Sequence, residues 1–118
     1  MTKTEMYVKI TNKIGPIEVG DGSILEYSEL HKRWITKGAM GTECVLSCFA
    51  KAMVEKAIMD TLRDHPDVLS VEYLERPFRG TVCSRITLER RRFLNNQGFF
   101  ASSRIEAYYK AIMSQDTT

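Results

Sequence analysis

The sequence lacks any long apolar run. No stretch approaches the roughly 20 consecutive apolar residues of a transmembrane helix. The first residues include Lys3 and Glu5 and lead into no apolar segment of the kind that a secretory signal peptide needs. We therefore expect no membrane association and a cytoplasmic location.

Cysteine and histidine are scarce, with three cysteines and two histidines in 118 residues. An odd, low number of cysteines is typical of a reducing compartment and argues against a disulfide framework. Cys44 and Cys48 lie four residues apart, but His31 and His65 do not stand at metal-ligand spacing. We expect no metal and no cofactor, and we interpret Cys44 and Cys48 as small apolar residues of a helix.

Catalytic signatures are missing as well. The sequence contains neither a Walker loop nor a dinucleotide-binding glycine pattern. Cys83 could pair in space with His31 or His65, but no local signature supports a nucleophile of that kind. An enzyme is therefore the least favoured of the functional hypotheses.

Positive charge is present, and it is concentrated in one segment. The formal net charge of +2 combines a net +6 in residues 76–104, which hold seven arginines and one acid, with −4 elsewhere, from 10 basic and 14 acidic residues. Arginine can bind carboxylate or phosphate with two parallel hydrogen bonds. This arginine segment is the one feature that stands out for function.

The first third of the chain predicts two strands and a helix. Alternating residues at 6–12 are typical of a strand, and residues 17–19 follow as a short return strand. In residues 23–37, Tyr27, Leu30 and Trp34 form a helical stripe, so we favour a helix there. A strand at 24–27 is the alternative.

The middle of the chain predicts one long helix. Apolar residues recur at helical spacing through residues 43–64, and Thr42 can cap the first turn. Pro66 disfavours helical geometry at His65, so the helix should end there. We interpret the apolar stripe as core packing.

The last half predicts a hairpin and a final helix. Residues 68–76 and 81–90 both alternate, and a connection containing Gly80 separates them, which is typical of an antiparallel hairpin. Residues 95–98 are interpreted as a polar loop. A helix is predicted over 103–114, with Ser103 and Glu106 at capping-box spacing.

These elements predict an α+β fold, with helices on one face of a small, mostly antiparallel sheet. The composition, 43% hydrophobic and 27% charged, suits one domain over residues 1–118. The long helix and hairpin could form half of a ferredoxin-like unit. The succession of a helix, the segment His65-Pro66-Asp67-Val68-Leu69-Ser70-Val71-Glu72 and a second strand resembles small bacteriophage tail or baseplate subunits. The likeness covers about a third of the chain. That resemblance implies a phage or bacterial accessory role.

The candidate binding residues are arginines and phenylalanines of the positive segment. They are Arg79, Arg85, Arg90, Arg91, Arg92, Phe99, Phe100 and Arg104. Their guanidiniums could form a solvated edge or pair with acids of the same chain, such as Glu72 and Glu75. They could equally dock onto an acidic protein or another subunit, or bind nucleic acid or phosphate.

Our first hypothesis is therefore a non-enzymatic interaction or assembly module. It would dock to an anionic surface or another subunit through the arginine-rich hairpin and C-terminal region, and it predicts a protein partner or self-association. The alternative hypothesis is a nucleic-acid, nucleotide or phosphate-ligand binding protein that uses the same arginines.

Overall fold

The computed structural model describes residues 1–18, 23–30, 32–37, 43–45 and 49–115. These residues form α-helices and antiparallel strands, which confirms the α+β class. The chain divides into two compact units, Met1–Ala57 and Ile58–Thr118. The prediction of a single domain stays a prediction, and each unit is described here by itself.

The chain begins with a helix, α1 (Lys3–Ile14), so the predicted strand at 6–12 is wrong. Thr2 caps the helix by accepting a hydrogen bond from the backbone N–H of Glu5 at 3.2 Å. Gly15, with φ of 90°, ends it and donates its N–H to the carbonyl of Thr11. These capping signals prevail over a short alternation of β-branched residues.

Unit 1 carries an antiparallel sheet in the order β1 (Ile17–Glu18), β2 (Ile24–Ser28), β3 (Arg33–Lys37) and β4 (Glu43–Val45). The short strand predicted at 17–19 is confirmed at residues 17 and 18, and residue 19 lies outside the described part.

The helix favoured at 23–37 is wrong, and the rival strand is correct. Tyr27 and Trp34, two members of the supposed helical stripe, are cross-strand partners in β2 and β3. Leu30, the third member, is 87% exposed in the turn between them. A seven-residue spacing fits two helical turns and a hairpin pair equally well, so the pattern alone could not separate them.

The second helix, α2 (Phe49–Asp64), begins later than predicted. Cys44 lies in β4, so the prediction that it belongs to the helix is wrong. Cys48 and Thr42, the predicted cap, lie outside the described residues. Val54, Ile58 and Leu62 recur every four residues and are fully buried. The helix ends at Asp64, immediately before His65 and Pro66, as predicted.

Unit 2 is built on a second antiparallel sheet in the order β5 (Val68–Phe78), β6 (Thr81–Arg90) and β7 (Asn96–Ala101). The predicted hairpin is confirmed as β5 and β6. The predicted polar loop at 95–98 is wrong from Asn96 onward, because Asn96, Gln97 and Gly98 pair with Glu89, Leu88 and Thr87 of β6. Backbone pairing thus prevails over the local polarity of the sequence.

One face of this sheet packs against α3 (Arg104–Met113). Alternate residues of β6, Ser84, Ile86 and Leu88, are fully buried, and Tyr108 and Ile112 of α3 are nearly so. The final helix is therefore confirmed. Its predicted capping box is wrong, since the side chain of Ser103 makes no cap hydrogen bond.

The opposite face of the sheet, which we call the outer face, positions the candidate site. Because side chains alternate across a strand, the residues that point away from α3 include Leu74, Arg76, Cys83, Arg85 and Phe100. The helix-then-hairpin order of α2, β5 and β6 is the order expected for half of a ferredoxin-like unit, and that finer assignment stays a prediction. No helix in the described part of the chain is long and apolar enough to cross a membrane.

Candidate interaction surface

All eight candidate binding residues lie in unit 2, but the structure does not bring them to one place. Arg104 and Phe99 belong to the α3 side of the sheet, and Arg90 lies in a polar network at the end of β6. Arg91 and Arg92 are exposed in the turn that follows. Arg79, Arg85 and Phe100 lie at the hairpin tip and on the outer face.

Arg104 is paired within the chain. Its Nη2 donates to Oε2 of Glu75 at 2.8 Å, and its Nε donates to the hydroxyl of Tyr73 at 3.2 Å. The hydrogen bond from Arg104, helped by one from Tyr73, lowers the pKa of Glu75 below its usual value. This carboxylate is the anion that balances the cation at the start of α3, where the helix dipole opposes it.

Arg90 is also paired within the chain. Its Nη1 donates to Oδ2 of Asp67 at 3.1 Å, its Nε to Gln97 at 2.8 Å and its Nη2 to Gln115 at 3.2 Å. The side chain is only 18% exposed. Arg90 therefore links Asp67, immediately before β5, to Gln97 of β7 and to Gln115 after α3. This is a structural role.

Phe99 does not form part of an exposed aromatic surface. It is half-buried, and it lies opposite Ile86, a fully buried residue on the α3 side of β6. Its neighbour Phe100 points the other way and is 56% exposed. The two phenylalanines are adjacent in sequence and were predicted together as binding residues, but strand alternation places them on opposite faces of the sheet.

Arg79 lies at the tip of the hairpin. It forms a two-residue turn with Gly80, closed by the pair Phe78 and Thr81. Both turn residues have positive φ, 47° and 80°, which is typical of the type I′ turn that suits twisted hairpins. The guanidinium of Arg79 lies 5.4 Å from the ring centroid of Phe78, which is 61% exposed.

Arg85 and Phe100 form a second arginine–phenylalanine pair. They are cross-strand partners on β6 and β7, and the guanidinium lies 6.0 Å from the ring centroid. That distance is at the outer limit of a cation–π contact, so the pairing is loose. Gly98 leaves space for the ring, because a Cβ there would lie 3.0 Å from Cε2 of Phe100.

A shallow hollow of about 90 Å³ lies beside Arg85 and Phe100. It is lined by Leu74, Arg76, Cys83, Arg85 and Phe100. Arg76 was not among the predicted site residues. It stands two residues from Leu74 in a predicted strand, so the two share a face, and Leu74 is the cross-strand partner of Arg85. Strand alternation was therefore the signal that could have found Arg76.

We call this surface the hairpin face. Its residues are Leu74, Arg76, Phe78, Arg79, Cys83, Arg85 and Phe100. The residues so defined include three arginines, and the nearest acid on the same face is Glu72, two residues from Leu74 on β5. Among the described residues, none of these three guanidiniums has an ion-pair partner, in contrast to Arg90 and Arg104.

The turn after β6 is a second exposed patch. Arg91 and Arg92 are exposed, and Phe93 and Leu94 are 89% and 78% exposed. Phe93 and Leu94 also have positive φ, 62° and 49°, which is unusual for bulky residues. Arg92 and Phe93 line one side of a groove of about 580 Å³ that also includes His65, Asp67 and Arg90. The acid in this groove is the one that Arg90 already binds.

The aromatic residues of unit 1 form a packed cluster. Tyr7 stacks on Tyr27 with ring centroids 5.9 Å apart, and the buried Trp34 meets both rings edge-on. Burial, followed by the charge of Glu55, raises the pKa of Tyr7. This arrangement is typical of a hydrophobic core.

The described residues show no arrangement for nucleophilic catalysis. The residues around Cys83 in the hollow include no histidine. His65 uses Nδ1 to accept a hydrogen bond from the backbone N–H of Asp67 at 3.1 Å, and His31 lies outside the described part. No group of three or more potential metal ligands occurs within the described ranges.

Comparison with known proteins finds no relative. No family model matches the chain, and neither a curated protein nor a solved structure matches it. The resemblance of residues 65–72 to phage tail subunits gains no support from these comparisons.

Proposed function

We propose that this protein is a non-enzymatic interaction module that docks to an anionic partner through the hairpin face. The observation that carries the proposal is the contrast among the arginines. Arg90 and Arg104 are held by carboxylates of the chain, whereas Arg76, Arg79 and Arg85 lie near two exposed phenylalanine rings and have no ion-pair partner among the described residues.

The placement of these arginines favours binding over a solvated edge. Arg79 and Arg85 each lie near an exposed aromatic ring, in contacts loose enough to leave their N–H groups free to donate. Arg76 lines the hollow together with Arg85 and Phe100. Arginine and aromatic residues together are also the types enriched in interaction surfaces.

The experiment that tests this proposal is chromatography of the full chain on immobilised heparin, a generic polyanion, with a salt gradient. We expect the wild type to be retained. A triple variant, Arg76→Gln, Arg79→Gln and Arg85→Gln, should elute at clearly lower salt because it loses three of the charges that displace counterions.

A matched control removes the same charge elsewhere. Lys3, Lys9 and Lys32 are exposed residues of unit 1, and their replacement by glutamine should leave the elution position close to that of the wild type. A wild type that flows through, or equal losses in both triple variants, would overturn the proposal.

A further inference from the structure

We infer that the anionic partner of the hairpin face is a single-stranded nucleic acid, with bases stacked on Phe78 and Phe100 and phosphates bound by Arg76, Arg79 and Arg85. This inference rests on the proposed function, because it names the class of partner for the same surface. Three observations carry it: the position of the Phe100 ring, the arginine beside each exposed ring, and the shallow form of the hollow.

The first observation is the position of the Phe100 ring on the strand. A Cβ at position 98 would lie 3.0 Å from Cε2 of Phe100, so the ring lies above the backbone of β7, and the ring is 56% exposed. A side chain at position 98 would push the ring away. Such an exposed ring is the platform on which unpaired bases stack, whatever their identity.

The second observation is that each exposed ring has its own arginine. The guanidiniums of Arg79 and Arg85 lie 5.4 and 6.0 Å from the centroids of Phe78 and Phe100. A base that stacks on either ring would replace this loose guanidinium contact and bring its phosphate near an arginine that has no acidic partner in the described residues. The strand spacings place the Cα atoms of Phe78 and Phe100 about 16 Å apart, a distance that a few nucleotides can span.

The third observation concerns the alternative partner, an acidic protein. Protein interfaces concentrate their affinity in deep, desolvated pockets that accept a side chain. The hollow beside Phe100 encloses only about 90 Å³ and is open. The hairpin face thus offers two separate rings on a sheet surface, which suits planar bases better than a protruding side chain.

Duplexes fit this surface less well. Bases in a duplex are stacked on one another and cannot reach Phe78 or Phe100, whereas unpaired bases can. We therefore expect a preference for single strands over duplexes of the same length, although the duplex carries more phosphate charge.

The test is fluorescence anisotropy with the full chain and four labelled probes. They are an oligothymidylate of about 12 nucleotides, an abasic strand of the same length, a duplex of that length and a polyglutamate peptide. We expect the oligothymidylate to bind at least about fivefold more tightly than the other three, since stacking adds to the charge interaction only for unpaired bases.

Variants locate the stacking. Phe100→Leu keeps an apolar side chain over Gly98 but removes the aromatic face, so it should weaken oligothymidylate binding about fivefold or more and leave abasic binding unchanged. Phe93→Leu changes an exposed ring away from the hairpin face and serves as the matched control. Thermal unfolding of each variant shows that the fold is retained.

The outcomes separate this inference from the proposed function. Equal affinity for oligothymidylate and abasic strands, or tighter binding of polyglutamate, overturns the inference while docking to an anion stands. No binding of any probe at low salt overturns both. Loss of binding in Phe93→Leu and not in Phe100→Leu would move the site away from the hairpin face and also overturns both.

Discussion

Arg79 adopts a left-handed backbone conformation at the first position of a type I′ turn. Asparagine followed by glycine is the preferred pair for this turn, and a left-handed conformation costs an ordinary residue about 1 kcal/mol. The turn therefore holds an arginine at a position where a residue of better turn propensity would fit. The docking role that we propose for this guanidinium would account for an arginine at this position.

The substitution Arg79→Asn should therefore change stability and binding in opposite directions. We expect the free energy of unfolding to rise by up to about 1 kcal/mol, because asparagine tolerates positive φ. Affinity for a polyanion should fall, with a shallower salt dependence by about one unit of slope. Thermal unfolding and a salt titration of binding measure the two effects, and unchanged affinity would count against a docking role for Arg79.

Arg104 has a different role, which its effect on Glu75 makes testable. The hydrogen bond from Arg104 lowers the pKa of Glu75 in the folded protein. The ionised carboxylate consequently stabilises the fold above the ordinary pKa of glutamate, and this contribution is lost as the pH falls through the lowered pKa.

In the variant Arg104→Gln, the pKa of Glu75 should rise toward its ordinary value. An NMR titration of the Glu75 carboxyl carbon measures this shift. The difference in stability between wild type and variant should be largest near neutral pH and should shrink in acid, where Glu75 is protonated in both. An unchanged Glu75 pKa would show that Tyr73 alone holds the carboxylate.

At the scale of elements, the network of Arg90 connects β5, β7 and the end of α3. Arg90→Met should lower the free energy of unfolding by about 2 kcal/mol, because it leaves the carboxylate of Asp67 and the nearly buried Gln115 without their charged donor. Urea unfolding measures the loss.

Arg91→Met is the matched control for this network. Its side chain is exposed next to Arg90, so we expect a change within about 0.5 kcal/mol. Equal destabilisation by both substitutions would contradict the structural role assigned to Arg90.

Elements with strong local signals could be predicted from the sequence. The β5–β6 hairpin follows from two alternating runs around Gly80, and α3 follows from its apolar spacing. The first helix could not be identified from its alternation, because Val8, Ile10 and Thr11 favour a strand. Its true signals were Thr2 and Glu5 at its start and Gly15 at its end.

The candidate site was predicted only in part, because the sequence does not show which acid each arginine meets. Glu75 was rightly considered as a partner, but Asp67 was not, because it lies just outside the predicted strand and only the strand register places it beside Arg90. The position of Arg76 followed from strand alternation and was overlooked. The exposed turn at Phe93 and Leu94 has no signal in its local sequence that predicts two consecutive left-handed residues.

At the scale of the whole molecule, positive charge is not concentrated in one unit. Unit 1 has eight basic and seven acidic residues, and unit 2 has nine basic and eight acidic residues. The net +6 of residues 76–104 is also partly neutralised, because Arg90 and Arg104 form ion pairs with Asp67 and Glu75, which lie outside that segment. What we propose for docking is the smaller charge of the hairpin face.

The most direct test of this account is chemical-shift mapping of the full-length protein by NMR during titration with oligothymidylate. We predict that backbone amide shifts change mainly in the tip halves of β5 and β6 and in β7 around Gly98 and Phe100. Changes confined to unit 1, or to the turn at residues 91–94, would contradict docking through the hairpin face.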